Sequence, residues 1–355
     1  MNNDRIQEIL DLMEEARLDY FLISDPQSIA YCTGYYNDPH ERMFVFMISK
    51  HGNHTLFMND LFYLDHDLDV NIVWHKDGQD AIQTIVDEMH FPGRIGIDKN
   101  WASHFLLDLM KKLPDAKYIN ASPCVDLVRM KKDLQEQVLM IESSKINDAV
   151  MEEIIPFIQE GVTEKQLAKK LDELFFNHHS TCYGAIVAFG KNAADPHHEN
   201  DDTLLRKGDC VLIDMGCVYK GYCSDMTRTF FYEGILEEEI KVYEIVKKAN
   251  EAAEAMIKPG VKLSDIDKCA RKVISDEGYG KYFTHRLGHF IGRDVHEYGD
   301  VSSVNEMEVE EGMIFSIEPG IYLEGNFGVR VEDLVMVTKD GYQVLNSFTK
   351  DIYII

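Results

Sequence analysis

The chain has 355 residues, 45% of them apolar and 28% charged, the make-up of an ordinary soluble globular protein. Its 62 acidic side chains against 36 basic ones leave a formal charge of −26, which excludes a general affinity for nucleic acid or for anionic membrane surfaces. The length exceeds what one hydrophobic core comfortably supports and points to two domains.

The opening segment MNNDRIQEILDLMEEARLDYFLIS lacks a basic n-region, and Ile6, Ile9, Leu10 and Met13 fall at helical spacing. A folded amphipathic helix is expected there, not a signal peptide. No apolar run approaches the roughly 18 to 20 residues that cross a bilayer. Short apolar strands then alternate with helices through YFLIS, MFVFMIS, HTLFM, NIVWH and RIGID, which reads as an α/β domain over residues 1–126. The seven cysteines are odd in number and form no CxxC, so free thiols in a reducing cytoplasm are expected.

A second domain is expected over residues 127–355. Its first long helix should bury a stripe of Leu134, Val138, Ile141, Ala149, Ile154 and Ile155. Thr163 and Gln166 make a capping box for the next helix. Strands follow at AIVAFG, DCVLIDMG and SDMTRTFFY, then helices over 236–256 and 264–277, the latter stopped by Gly278. The end is strand-rich, with MIFSIEPGIY, GVRVEDLVMVT and YQVLNSF. The fold class is therefore α/β with α+β character in the second part.

Two hairpins carry carboxylates inside apolar strands. With a turn at Tyr219–Lys220, Asp214 and Asp225 stand directly opposite, their Cβ atoms about 4.5 to 5.5 Å apart. Like charges so placed need a shared proton or a cation between them. Glu318 and Glu332 are equidistant from Gly325 and meet in the same way, with Arg330 on the face of Glu332. Four buried acids and one arginine leave negative charge that a pair of divalent cations would answer.

The stretch HRLGHFIGRDVHE (285–297) adds three histidines among glycines, beside Arg286 and Arg293, and GKNAADPHHEN (190–200) adds His197 and His198. Neutral imidazoles suit both metal ligation and oxyanion stabilisation.

With these motifs, and with SDPQSIAYCTGYYNDPHER, IEPGIY and GVRVED, the chain resembles the pita-bread metallopeptidases, in particular the bacterial proline dipeptidases (prolidases) and Xaa-Pro aminopeptidases. The resemblance implies a creatinase-like N-terminal domain and a C-terminal pita-bread catalytic domain. It implies that Asp214, Asp225, His289, Glu318 and Glu332 hold two divalent ions, Mn²⁺ foremost, with Co²⁺ or Zn²⁺ as alternatives. His197 and His296 match histidines near the substrate carbonyl, and Glu318 is the proton carrier. The substrate would be a small peptide with proline at P1′. Arg293 is the candidate cap for its carboxylate, and Arg330 is a further substrate-side guanidinium. A cytoplasmic homodimer is implied, with residues 35–43 as a candidate lid over the partner's site. Phe290, Arg293 and Gly299 depart from the family pattern where they would reshape the substrate pocket. The alternatives are an Xaa-Pro aminopeptidase acting on longer peptides and a non-catalytic peptide-binding relative. A metal-free creatinase-like hydrolase would lose ligands, and here all five stand. A methionine aminopeptidase would not need the first domain.

Overall fold

Asn2 opens the first helix, α1 (Asn3–Glu15), by accepting from the Arg5 amide, and Ile6, Ile9 and Met13 turn inward as their spacing requires. The computed structural model describes residues 1–90 and 92–355, which divide into two units, Met1–Arg129 and Met130–Ile355. The expected boundary at 126/127 falls inside a helix, three residues before this division.

In the first unit the anticipated strands form β1 (Tyr20–Ile23), β2 (Val45–Ser49), β3 (Thr55–Asn59), β4 (Asn71–His75) and β5 (Arg94–Ile97). A sixth, β6 (Lys117–Asn120), escapes the sequence reading because KYIN is short and half polar; parallel pairing with β5 makes it a strand. The sheet runs β4-β3-β2-β1-β5-β6, parallel except where β2 pairs with β1 and β3. Helices α2 (Pro26–Thr33), α3 (Ala81–Glu88), α4 (Ser103–Lys112) and α5 (Ser122–Met130) complete it. Phe21, Ile23, Phe46 and Ile48 fill one core, and Tyr20, Leu22, Val45 and Met47 another. Strands buried on both faces read as continuous apolar runs for that reason. Within the polar loop 35–43, the Arg42 guanidinium grips both oxygens of Asp77 at 3.0 and 2.9 Å.

The second unit starts with α6 (Leu134–Ile154) and α7 (Glu164–Asn177), each opened by a capping box, Asp133/Glu136 and the anticipated Thr163/Gln166. Of the expected buried stripe of α6, only Ile154 is fully buried. Leu134 and Val138 are 79% and 57% exposed, while Met140, Ser143, Ser144, Asn147, Val150, Met151 and Ile154 face inward. Strands β7 (Thr181–Cys182), β8 (Ile186–Phe189), β9 (Cys210–Met215), β10 (Cys217–Tyr219), β11 (Tyr222–Cys223) and β12 (Met226–Phe231) follow. They build the antiparallel sheets β12-β9-β8 and β11-β10-β7. Helices α8 (Glu237–Glu254) and α9 (Leu263–Asp276) precede the short pair β13 (Gly288–His289) and β14 (Asp300–Val301). The chain closes with β15 (Ile314–Ile317), β16 (Gly320–Leu323), β17 (Phe327–Arg330), β18 (Asp333–Thr338) and β19 (Gly341–Val344). Ile213, Met215 and Phe230 pack on Val150, Leu171 and Phe175 to form the core beneath the first hairpin.

Candidate metal centre

The first carboxylate hairpin turns at Lys220–Gly221, where φ is +49° and +84°, the two positive values that a two-residue hairpin turn needs. Tyr219 pairs with Tyr222 and Asp214 with Thr227, so Asp214 does not stand opposite Asp225 as expected. The turn sits one residue further on, because Gly221 supplies the left-handed conformation. The slip moves the register by two residues, an even number, so both aspartates keep the same face. Between β9 and β10 the ladder breaks at Gly216, where a Cβ would lie 2.0 Å from both Ser224 O and Tyr183 Oη. The carbonyls at this break are met from α6: Asn147 Nδ2 donates to Met215 O at 3.0 Å and Ser143 Oγ to Cys217 O at 3.4 Å. That explains Ser143 and Asn147 on the buried face of α6.

The second hairpin keeps the anticipated register. Ile317 pairs with Asp333 in one ladder and Gly320 with Arg330 in the next. Glu318 and Glu332 lie opposite one another in the gap between these ladders. Their amides turn outward, Glu318 N to Leu287 O at 2.8 Å and Glu332 N to Thr227 O at 3.1 Å. The backbone at each acid therefore stitches the second hairpin to the histidine loop and to the first hairpin.

His289 completes the cluster from β13. Its Nδ1 donates to Phe290 O at 3.2 Å, which leaves the Nε2 lone pair facing Asp225 Oδ2 at 3.6 Å and Glu318 Oε1 at 3.7 Å. Asp225, His289 and Glu332 offer donor atoms that all lie within 4.8 Å of one another. Arg330 donates to Asp214 Oδ2 at 2.7 Å, Thr227 Oγ1 at 3.0 Å and Tyr322 Oη at 3.0 Å, and the Thr227 hydroxyl donates to Glu332 Oε2 at 2.6 Å.

Burial and mutual repulsion raise the carboxyls of Asp225 and Glu332 well above the ordinary range, and burial lifts Glu318 to about 7. Burial holds His289 down at about 3 and His285 at about 4, and it also lowers His296. Four acids crowded around a neutral imidazole lone pair, with Arg330 bonded to just one of them, form a donor set of hard oxygens and one nitrogen. Such a set fits divalent cations.

These groups line a cavity of about 410 Å³, together with His197, His285, Arg286, His296 and Tyr183. Of the nine site residues read from the sequence, eight line it. Arg293 does not: its guanidinium lies over the Tyr222 ring at 5.4 Å and beside the turn glycine Gly221. Phe290 and Gly299 are also absent from the wall. Phe290 is fully buried against Phe315, and Gly299 leaves room for its ring. None of the three departures lines this cavity.

The sequence motif named His285 and Arg286 without assigning either a role, and Tyr183 and Tyr322 were not singled out. His285 Nδ1 donates to Arg286 O at 2.7 Å and its Nε2 accepts from Tyr322 Oη at 2.8 Å, so it supports the arginine that holds Asp214. Its place in the histidine motif was the available signal; Tyr183 offered none. A second acid–histidine cluster, Glu164, His198 and Asp201, is closed by its own hydrogen bonds. Glu164 accepts from Phe189 N, Asn192, His198 and Asp201 N, which fixes the turn beside His197.

A family model described as metallopeptidase family M24 matches residues 138–339, and one described as the creatinase/prolidase N-terminal domain matches residues 5–131. An uncharacterized peptidase of Staphylococcus aureus (strain bovine RF122 / ET3-1) is 35% identical over 355 residues, covering 98% of this chain and 99% of the relative. The structure of a dipeptidase from Pyrococcus horikoshii OT3 superposes with a TM-score of 0.92 at 34% identity, covering 99% of this chain and 100% of that one. A recombinant prolidase from Thermococcus sibiricus gives a TM-score of 0.93 at 31% identity, covering 100% and 99%.

Proposed function

The chain belongs to metallopeptidase family M24, and on that premise we propose that it is a proline dipeptidase, a hydrolase with two divalent ions per subunit that cleaves the Xaa-Pro bond of dipeptides. As a member of this family it has the pita-bread fold behind a creatinase-type domain, and it is a metallo-exopeptidase. The observation that carries the finer reading is the convergence of Asp214, Asp225, His289, Glu318 and Glu332, drawn from two hairpins and one loop, on a single small cavity.

Those five residues would hold the ions, which when bound supply Lewis-acid polarisation of the scissile carbonyl and acidification of a water. Glu318 lies among the other acids on the cavity wall and is suited to accept the water's proton and return it to the departing prolyl nitrogen. His296 and His197 stand at the cavity wall, where imidazole N–H groups meet the carbonyl oxygen as it gains charge. Burial keeps His296 neutral, so its N–H donates to that oxygen without adding a second fixed charge. Tyr322 and Thr227 hold Arg330, and Arg330 holds Asp214, so the acids keep their orientation before substrate arrives. A proline at P1′ brings no amide N–H and a stiff backbone, and a small preformed cavity accepts it at low ordering cost.

The reading includes Mn²⁺ as the preferred ion, on the mainly oxygen donor set, with Co²⁺ or Zn²⁺ as substitutes. It includes a cytoplasmic homodimer, which the resemblance supports. Among the described residues no helix is long and apolar enough to cross a membrane. The test is a cleavage panel of Leu-Pro, Leu-Pro-Gly and Leu-Ala on chelator-stripped protein, with Mn²⁺, Co²⁺ and Zn²⁺ restored singly and bound metal counted. Metal-dependent turnover of Leu-Pro above the other two is expected. Preference for Leu-Pro-Gly would make the protein an Xaa-Pro aminopeptidase. Neither metal nor cleavage would make it a binding relative.

A further inference from the structure

The cavity wall holds one guanidinium, that of Arg286, with no hydrogen-bonded partner among the described residues. Among the described residues no hydrogen bond, ion pair or ring contact engages the exposed Arg286 side chain, although it lines the cavity beside His285, His296 and Glu318. The other cations nearby are committed. Arg330 is bonded to Asp214, Thr227 and Tyr322, and Arg293 lies over Tyr222 outside the cavity.

The Arg286 backbone, by contrast, is fixed. Its carbonyl accepts from His285 Nδ1, and the next amide, Leu287 N, donates to Val301 O at 2.9 Å and Asp267 Oδ1 at 3.2 Å. An anchored stem with an open head is what capture of an anionic ligand group requires.

The ligand group follows from the length of a dipeptide. Only the Cα lies between the nitrogen of the scissile bond and the terminal carboxylate, a reach of about 2.5 Å from nitrogen to carboxyl carbon. Whatever holds that carboxylate must therefore share the cavity with the reacting carbonyl. The acids there repel it, and the other guanidinium on the wall, Arg330, is already bonded to Asp214, Thr227 and Tyr322. We propose that Arg286 is the specificity-determining residue that takes the C-terminal carboxylate of the P1′ residue and so restricts cleavage to dipeptides, an assignment that rests on the proline dipeptidase reading. A guanidinium presents two parallel N–H groups to a carboxylate, and a longer peptide offers only an uncharged amide at that position.

The experiment compares wild type, Arg286→Gln and Arg286→Lys as metal-loaded enzymes on Leu-Pro and Leu-Pro-amide. Calorimetry then gives Kd for the reduced-bond analogue of Leu-Pro and for its amide, an equilibrium readout separate from turnover. Wild type should favour the free acids. Arg286→Gln should raise KM and Kd for them by about 10- to 100-fold, the range of a charge-assisted hydrogen bond, and leave the amides within about 3-fold. Arg286→Lys should recover part of the loss. An acid-to-amide ratio unmoved by Arg286→Gln overturns the assignment alone. A wild-type enzyme that cleaves no Xaa-Pro dipeptide overturns the dipeptidase reading and the assignment with it.

Discussion

Arg330 Nη2 donates to Asp214 Oδ2 at 2.7 Å, and the same guanidinium reaches Thr227 and Tyr322, so one side chain ties the two carboxylate hairpins together. It is buried to 2% exposure, and truncation would leave Asp214 and two hydroxyls without their donor. Breaking a buried pair in this way costs about 3 to 5 kcal/mol. Arg330→Leu should lose that much in urea denaturation of chelated protein, and Arg330→Lys, which keeps the charge but not the fork, should lose less. An unchanged midpoint for Arg330→Leu would show that the hairpins do not depend on this tie.

Asp225 presents the opposite case, an acid whose charge the metal-free fold resists. It is 5% exposed and repelled by Asp214 and Glu318. Asp225→Asn should therefore be at least as stable as the parent in chelator, since it removes an acid that the metal-free fold must keep protonated. With metal it should fare worse, losing more than the ~10- to 100-fold in affinity typical of groups one layer behind the ligands. Thermal melts with and without Mn²⁺, alongside metal counting, check both halves. A variant that retains the parent's metal-induced rise in Tm removes Asp225 from the ligand set.

How much of this was legible depended on whether local symmetry or tertiary contact placed the residue. Glu318 and Glu332 could be paired from spacing because their hairpin is symmetric about Gly325 and both ladders share its register. The face shared by Asp214 and Asp225 was legible although the register was two residues off, since parity survives an even slip. The inward face of α6 was not, because Ser143 and Asn147 answer carbonyls at a ladder break created only when hairpin and helix meet. Nor could Arg286 be told from Arg293 by composition. The loop carries one into the cavity and lays the other on Tyr222.

The stability of the metal-free protein should fall as pH rises above about 6.5. Glu318 is lifted to about 7, and Asp225 and Glu332 lie well above the usual range. Each keeps its proton in the folded chain where the unfolded chain, titrating near 4, has lost it; stability therefore declines from about pH 4 up to the folded value. His289, depressed to about 3, and His285, to about 4, act in the other sense. Their contribution rises with pH and is complete near 6.5, where unfolded imidazole deprotonates. Above that point only the carboxyls remain. Scanning calorimetry in chelator from pH 6.5 to 8 should show Tm falling, and saturating Mn²⁺ should abolish the slope by replacing protons. A flat or rising Tm in chelator would contradict the crowding of charges inferred for this site.

Phe290 and Gly299 are the two halves of one packing arrangement. Phe290 is fully buried with its ring 5.3 Å from that of Phe315, and a Cβ on Gly299 would lie 2.7 Å from Phe290 Cδ2. Gly299 also has φ +102°, which a side chain strains. Gly299→Ala should destabilise by about 1 to 3 kcal/mol through overpacking. Phe290→Ala should cost about 3 to 5 kcal/mol through lost burial and the cavity left behind. In the double variant the methyl enters space the ring has vacated, so the clash disappears while the backbone strain stays. The two losses should then sum to less than their separate values, by more than the ~0.5 kcal/mol scatter of independent sites. Because neither residue lines the cavity, Phe290→Leu should leave kcat/KM for Leu-Pro within about 3-fold. Additive losses in the cycle, or a large change in substrate preference for Phe290→Leu, would return Phe290 to the pocket wall.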